Sequence, residues 1–403
     1  MEEIYMKLYY QDQAFSFELL RAASYAGYQG AEIGECLATA ARIKEGDFEG
    51  WFVEWEKTAK RVEKMGEDCL QRGHRISARE AFLRSHNYYR TAEFFLSPKD
   101  PKRNESYKKS VSTFQKAMEL MDFHVEKVNI PYENTSLPGY FYRAADSDSS
   151  TVERPALIGI GGFDSTVEEL YFCVAAPAIK RGYNCLIFDG PGQGAPLRLQ
   201  NMTKRVDFEV PVSAAVDYLE TRTDVDKEKI ALIGMSMGGY YAPRAAAFEK
   251  RIKACIAYDV FYDLWEATVQ RNPMLKQLEV LSAEEIEQVL KKAGQANSNL
   301  RWAIANSMWV FGLDKASKIP ETLQQYSLKG IAQNISCPVL ILAGESDHFV
   351  PLEQVDQFAN ELTCEKTIRI FTAEEGAEEH CQEGNHSLFH QVAFDWLDEV
   401  FQS

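Results

Sequence analysis

The stretch Gly234-Met235-Ser236-Met237-Gly238 follows the apolar run KIALI and precedes the helix-forming run GYYAPRAAAFEKR. A serine between glycines at a strand-to-helix junction suits a sharp turn. Such a turn strains the backbone at Ser236, admits only small residues two positions away on either side, and exposes the hydroxyl at a helix start. The bare five-residue pattern arises often by chance; the strand-turn-helix context favours a nucleophile over a mere tight turn. A serine hydroxyl is a weak nucleophile, so the chemical reading requires a base to take its proton and an acid to orient the base. LILAGESDHFVP supplies Asp347 in the turn after an apolar run, with Glu345 and Asp259 as weaker substitutes. The non-catalytic role for Asp347 is capping of the helical run PLEQVDQFANEL. Three of the seven histidines, His380, His386 and His390, cluster near the C-terminus. His380 falls in the loop between the last apolar run, KTIRIF, and the last helical run, SLFHQVAFDWLDEVF, which is where a base completes the chain order Ser, Asp, His. His390 lies inside that helical run and His386 at its start, positions that suit packing.

Attack on a carbonyl creates an oxyanion, which needs N–H donors aimed at it. Met237, directly after the nucleophile, is one expected donor. Phe163, in Gly161-Gly162-Phe163 after the run ALIGI, is the other. Gly162, Glu169 and Glu266 are the expected substrate contacts. In DSTVEE, Ser165 and Glu168 have capping-box spacing, which gives Glu168 a structural role as an equal alternative to touching substrate. Glu378 and Glu379 would raise the basicity of His380 if they face it. FDGPGQG lacks both the GxGxxG spacing and the downstream acid of a dinucleotide site, and reads as a loop at the rim of a sheet. A metal set of His380, Cys381, His386 and His390 matches no familiar zinc spacing and would leave Ser236 and Asp347 unexplained. No metal and no other cofactor is expected.

These residues need a scaffold. From residue 123 onward the runs ALIGIGGF, NCLIFDGPG, KIALIGMSMGG, KACIAYDVF, PVLILAGESD and KTIRIFTAEEG alternate with helical segments. Continuous apolar strands separated by helices predict an α/β fold, a mostly parallel sheet covered on both faces, with ligands beyond the carboxyl ends of the strands. The rhythm breaks over 265–335, a helical stretch opened by a capping box at Ser282 and Glu285, which reads as a cap insertion over the site. Before residue 123 the pattern is helical. In ISAREAFLRSHNYYRTAEFFL, Ala81, Arg84, Tyr88 and Ala92 interleave with Phe82, His86, Tyr89 and Phe95, as in a helix contacted on more than one side. The expected domains are a helical 1–122 and an α/β 123–403. His74 and His86 are expected in packing or at the surface.

The 403 residues, 45% of them hydrophobic, can bury a large core. A net charge of −16 without any Lys/Arg block argues against nucleic acid and against an anionic membrane surface as partners. MEEIYMKLYYQDQAF has no signal-peptide core, and no stretch approaches the roughly 18 apolar residues of a membrane span, so a cytoplasmic location is expected. The eight cysteines form no CxxC pair and read as buried free thiols.

GGFDSTVEE, FDGPGQG, GMSMGGYYAPRAAAFEKRIKACIAYD, WVFG, YSLKGIAQNISCPVLILAGESD and GAEEHCQ, with SHNYYRTAEFFL in front, together resemble the alpha/beta hydrolases grouped with 2,6-dihydroxypseudooxynicotine hydrolase. That group includes the fungal pigment hydrolases that shorten a polyketide chain and the fermentation-respiration switch proteins. The resemblance runs over nearly the whole chain from about residue 75. It implies a Ser236, Asp347, His380 triad, a helical N-terminal domain that helps cover the site, and a homodimer. In members that cleave carbon–carbon bonds an additional acid assists, and Glu266 or Asp263 in FYDLWE is the candidate. The expected activity is serine-dependent hydrolysis through an acyl-enzyme, at a carbon–carbon bond next to a ketone in a β-diketone, aryl ketone or polyketide-like small molecule. Ester hydrolysis or acyl transfer would use the same triad, and a regulatory binding protein on the same scaffold is the alternative of another class. Trp302, Trp309, Tyr88 and Tyr89 would suit an aromatic substrate, or belong to the core.

Overall fold

A computed structural model describes residues 6–144 and 152–402, which fall into two compact units. Met6–His124 with Lys291–Asn306 form a helical unit, and Val125–Leu290 with Ser307–Ser403 form a sheet unit.

The helical unit is built from α1 (Gln13–Ser24), α2 (Ile33–Ala40), α3 (Phe48–Gln71), α4 (Arg75–Glu93) and α5 (Pro101–Met118). Aspartates start three of them by accepting orphan backbone N–H groups: Asp12 from Phe15, Asp47 from Gly50 and Asp100 from Lys102. Pro101 adds a preset φ at the first position of α5. α4 is buried almost throughout its second half, and several of its polar side chains are bonded within the unit. His86 Nδ1 meets the Ser110 hydroxyl at 2.8 Å, and Tyr89 donates to Glu63 at 2.7 Å. His74 is exposed at the start of α4.

The sequence reading put all of 265–335 in one insertion of the second domain. The structure instead assigns Lys291–Asn306 to the helical unit. Aromatic packing explains this. Trp302 stacks on Phe94 with centroids 4.7 Å apart and donates its Nε1–H to the Phe94 carbonyl, and Arg301 lies 3.6 Å over the Phe48 ring. The capping box at Ser282 and Glu285 is present, the Ser282 N–H donating to Glu285 at 2.8 Å.

The sheet unit holds eight strands in the order β1-β2-β4-β3-β5-β6-β7-β8. Their ranges are β1 Val125–Tyr132, β2 Thr135–Tyr142, β3 Arg154–Ile160, β4 Asn184–Phe188, β5 Val225–Met235, β6 Ala254–Tyr258, β7 Val339–Gly344 and β8 Lys366–Phe371. The six apolar runs form β3 to β8, all parallel to one another. β4, β6 and β7 are buried from end to end and β3 and β5 over their C-terminal stretches, as strands covered on both faces must be. β1 and β2 were not assigned from sequence. They form an antiparallel hairpin that adds to β4 with β2 antiparallel to it. All eight cysteines are free thiols, six of them buried. Among the described residues no helix is long and apolar enough to cross a membrane.

Candidate active site

β5 ends at Met235, and the next helix, Gly238–Phe248, begins three residues later. Ser236 bridges them at φ 58°, a left-handed conformation that serine rarely adopts. The turn is held by the Ser236 N–H to the Tyr258 carbonyl at 3.0 Å and by the Gly239 N–H to the Ser236 carbonyl at 2.6 Å. It closes so tightly that a Cβ on Gly234 would lie 2.0 Å from the Gly238 carbonyl oxygen. The glycines at both ends of the motif are therefore steric requirements.

The Ser236 hydroxyl lies 2.8 Å from His380 Nε2, and His380 Nδ1 lies 2.6 Å from Asp347 Oδ2. Asp347 sits just after β7 and is itself oriented, its other oxygen accepting the Phe349 and Val350 N–H groups at 2.7 and 2.9 Å. Arg271 donates to the Asp347 backbone carbonyl. Burial pushes the Asp347 carboxyl up, but the charge and hydrogen bond of His380 outweigh it and hold the group below the usual carboxylate range. Burial pushes the His380 imidazole down, yet Asp347, Asp259 and Glu379 raise it to about 9. Asp259, fully buried at the end of β6, brings a second carboxylate within 3.4 Å of His380 Nδ1. It also accepts the Cys381 N–H at 2.5 Å and the Gln382 amide at 3.3 Å. Those two residues have φ of 53° and 44°, so Asp259 clamps a strained turn immediately after the histidine.

The glycine loop that follows β3 packs against Ser236. A Cβ on Gly162 would meet Ser236 Cβ at 2.7 Å and Oγ at 3.1 Å. The Gly162 N–H is bound by the Ser165 hydroxyl at 2.7 Å. Ser165 thus braces the loop rather than capping the following turn with Glu168, which corrects the capping-box reading. The Gly162 carbonyl receives Gln193 Nε2 at 3.0 Å and Lys204 Nζ at 3.2 Å. Met237, the residue directly after Ser236, is the N-cap of the helix Gly238–Phe248.

The model of the alpha/beta hydrolase family matches residues 159–395, more than half the chain and the whole span from the glycine loop to the last helix. The chain belongs to the alpha/beta hydrolase family. Its relatives include hydrolase acrC of Aspergillus aculeatus, 35% identical over 98% of each chain. Another is the 20-hydroxy-prefusarin hydrolase FUS2 of Gibberella moniliformis, 38% identical over 96% of each. The solved structure of 2,6-dihydroxy-pseudo-oxynicotine hydrolase shares the fold, with a TM-score of 0.73 and 24% identity over 94% of this chain and 95% of that one. The protein is an enzyme, a hydrolase.

Other residues singled out from the hydrolase sequence have different surroundings. Glu266 accepts from Gln270 at 3.2 Å and Gln357 at 2.8 Å, and Asp263 caps the helix that carries Glu266. Glu169 is buried in the turn after the glycine loop. Its neighbour Glu168 accepts from Tyr140 at 3.3 Å and is pushed up to about 7 by burial. Glu345 accepts the Ala373 N–H at 2.5 Å. Glu379 accepts the His380 backbone N–H at 2.9 Å and contacts His348 Nδ1 at 2.7 Å. His386 pairs with Glu383 at 3.2 Å, and His390 contacts the Cys173 carbonyl at 2.8 Å. Two tight groups of ligand-type side chains, Asp259 with His380 and Cys381, and Asp347 with His348 and Glu379, are the places a metal would find donors. In both, the hydrogen bonds described above already engage the histidine and the carboxylates. Tyr88 and Tyr89 are core residues with bonded hydroxyls, and Trp302 is likewise buried, while Arg198 lies 5.0 Å over the half-buried Trp309 ring.

Two contributors carried no sequence signal, Gln193 and Lys204. FDGPGQG was read only as a rim loop, and in it Gln193 also donates to the Gly161 carbonyl at 2.7 Å. Lys204 is 8% exposed; burial pushes its ammonium down to about 7, against the pull of Asp164 and Asp189.

Proposed function

We propose that this hydrolase works through a covalent acyl-enzyme on Ser236, cleaving a carbon–carbon bond next to a ketone in a β-diketone, aryl ketone or polyketide-like substrate. The observation that carries the mechanism is the continuous chain Ser236 Oγ to His380 Nε2 at 2.8 Å and His380 Nδ1 to Asp347 at 2.6 Å. His380 Nε2 takes the hydroxyl proton as Ser236 Oγ bonds to the carbonyl carbon, and Asp347 stabilises the resulting imidazolium. The Met237 and Phe163 N–H groups receive the oxyanion. Collapse of the tetrahedral intermediate breaks the carbon–carbon bond, its electron pair leaves on carbon as an enolate or electron-rich aryl carbon, and His380 Nε2–H protonates that carbon. Water, deprotonated by His380, then attacks the Ser236 ester and releases the acid. The choice of carbon–carbon over ester bond is supported by the motif combination shared with the polyketide-shortening hydrolases.

Turnover of aryl β-diketones and p-nitrophenyl esters by wild type, Ser236→Ala and His380→Ala tests the proposal. Diketone cleavage that drops by about four to six orders of magnitude in both variants, with circular dichroism unchanged, is the expected result. Ester cleavage alone would move the substrate class to esters, and full activity in Ser236→Ala would end the acyl-enzyme mechanism.

A further inference from the structure

Lys204 is the residue of this site whose placement the triad leaves unexplained. Its stem is locked: the backbone N–H donates to the Val310 carbonyl at 2.8 Å, and Gly192 packs so flat against it that a Cβ there would fall 2.1 Å from Lys204 Cγ. Its Nζ reaches the Gly162 carbonyl at 3.2 Å and lies 5.6 Å from the Phe163 ring centroid and 5.5 Å from that of Tyr241. Taking an ammonium out of water is costly unless it is matched by close partners. Here its contacts are the Gly162 carbonyl and the faces of Phe163 and Tyr241, with the carboxylates of Asp164 and Asp189 acting on its charge.

The carbonyl that receives Lys204 belongs to the Gly162–Phe163 peptide. In a planar trans peptide the C=O and N–H point in opposite directions, so a donor fixed on the oxygen also fixes the direction of the N–H. Gln193 anchors the same oxygen at 3.0 Å. A positive charge on the oxygen side further polarises the unit, and a polarised chain of hydrogen bonds strengthens the donor at its far end. We infer that Lys204 is a positioning residue for the oxyanion: through the Gly162 carbonyl it aims and strengthens the Phe163 N–H that receives negative charge in the transition state. This rests on the acyl-enzyme mechanism above. If Lys204 merely braced its own loop, substrate, product and transition state would all feel its loss alike.

The test pairs Lys204→Met with two inhibitors, an aryl trifluoromethyl ketone, which adds to the serine and forms an oxyanion, and the corresponding trifluoromethyl carbinol, which cannot. Loss of an indirect contributor to an oxyanion site should cost about tenfold to hundredfold, less than loss of a direct donor. Lys204→Met is therefore expected to lower kcat and to raise the ketone Ki by similar factors of that size, leaving KM and the carbinol Ki within about threefold. Equal changes for ketone and carbinol, or no change for either, overturn the inference. If Lys204→Met does not fold, as judged by circular dichroism, Lys204→Gln is read by the same two criteria. In wild type, a ketone that binds no better than the carbinol, together with failure of a fluorophosphonate to label Ser236, defeats the acyl-enzyme mechanism itself. Labelled wild type with an unaffected Lys204→Met defeats only the role of Lys204.

Discussion

Asp259 stands behind His380 as a second carboxylate, and burial with the nearby Asp347 pushes its own carboxyl up to about 7. The groups that hold the imidazole up are Asp347, Asp259 and Glu379, the last paired with His348. A general base works only when neutral, so wild-type kcat/KM should climb as pH rises toward about 9. Asp259→Asn removes one source of that upward shift. Its rising limb is expected at lower pH than in wild type, measured as a pH–rate profile of kcat/KM; an unmoved limb would show that Asp259 acts only on the loop. At Gly162 the constraint is steric. A methyl group there would press on Ser236 at 2.7 to 3.1 Å, and Gly162→Ala is expected to slow both turnover and fluorophosphonate labelling at least about a hundredfold, since small displacements of reacting atoms cost that much. Thermal unfolding should change far less than activity.

Among the elements, those with an internal period or a glycine constraint were readable in advance. β4, β6 and β7 appear as unbroken apolar runs because both faces are covered, and the Ser236 turn announces itself because its close contacts exclude side chains at Gly234 and Gly238. β1 and β2 carried a quieter signal. Val128, Ile130 and Tyr132 alternate with exposed residues, the period-two pattern of a strand open to solvent on one face, interrupted by a turn at Glu133. Gln193 and Lys204 had no local signature at all, because their role arises from the crossing of β4's loop and a later loop beside β3. The same reason hid the membership of Lys291–Asn306, which only its tertiary stacking on Phe94 and Phe48 decides. A helix cap is a case where element and energy connect directly. Asp47→Ala deprives the first turn of α3 of its acceptor, and a loss of about 1 kcal/mol is expected, measured as a lower denaturant midpoint with unchanged slope.

Across the whole molecule, thiol chemistry offers a check on the packing. Cys69 and Cys364 are partly exposed and the other six cysteines are buried. Iodoacetamide on the native protein should modify those two and, after denaturation, all eight, counted by mass spectrometry. Unfolding temperature should be the same with and without reductant, since no cross-link constrains the chain.

The spacing of Ser236 and His380 also has a consequence in time. They touch across 144 residues of sequence. Synthesis at roughly 5 to 20 residues per second separates their appearance by about 7 to 30 seconds. On the proposed mechanism, a growing chain carries through that interval the serine and its glycine loop without the base that would activate them. On the proposed mechanism, each newly made molecule therefore stays chemically silent until the segment beyond β8 that carries His380 has been made and has folded against Ser236.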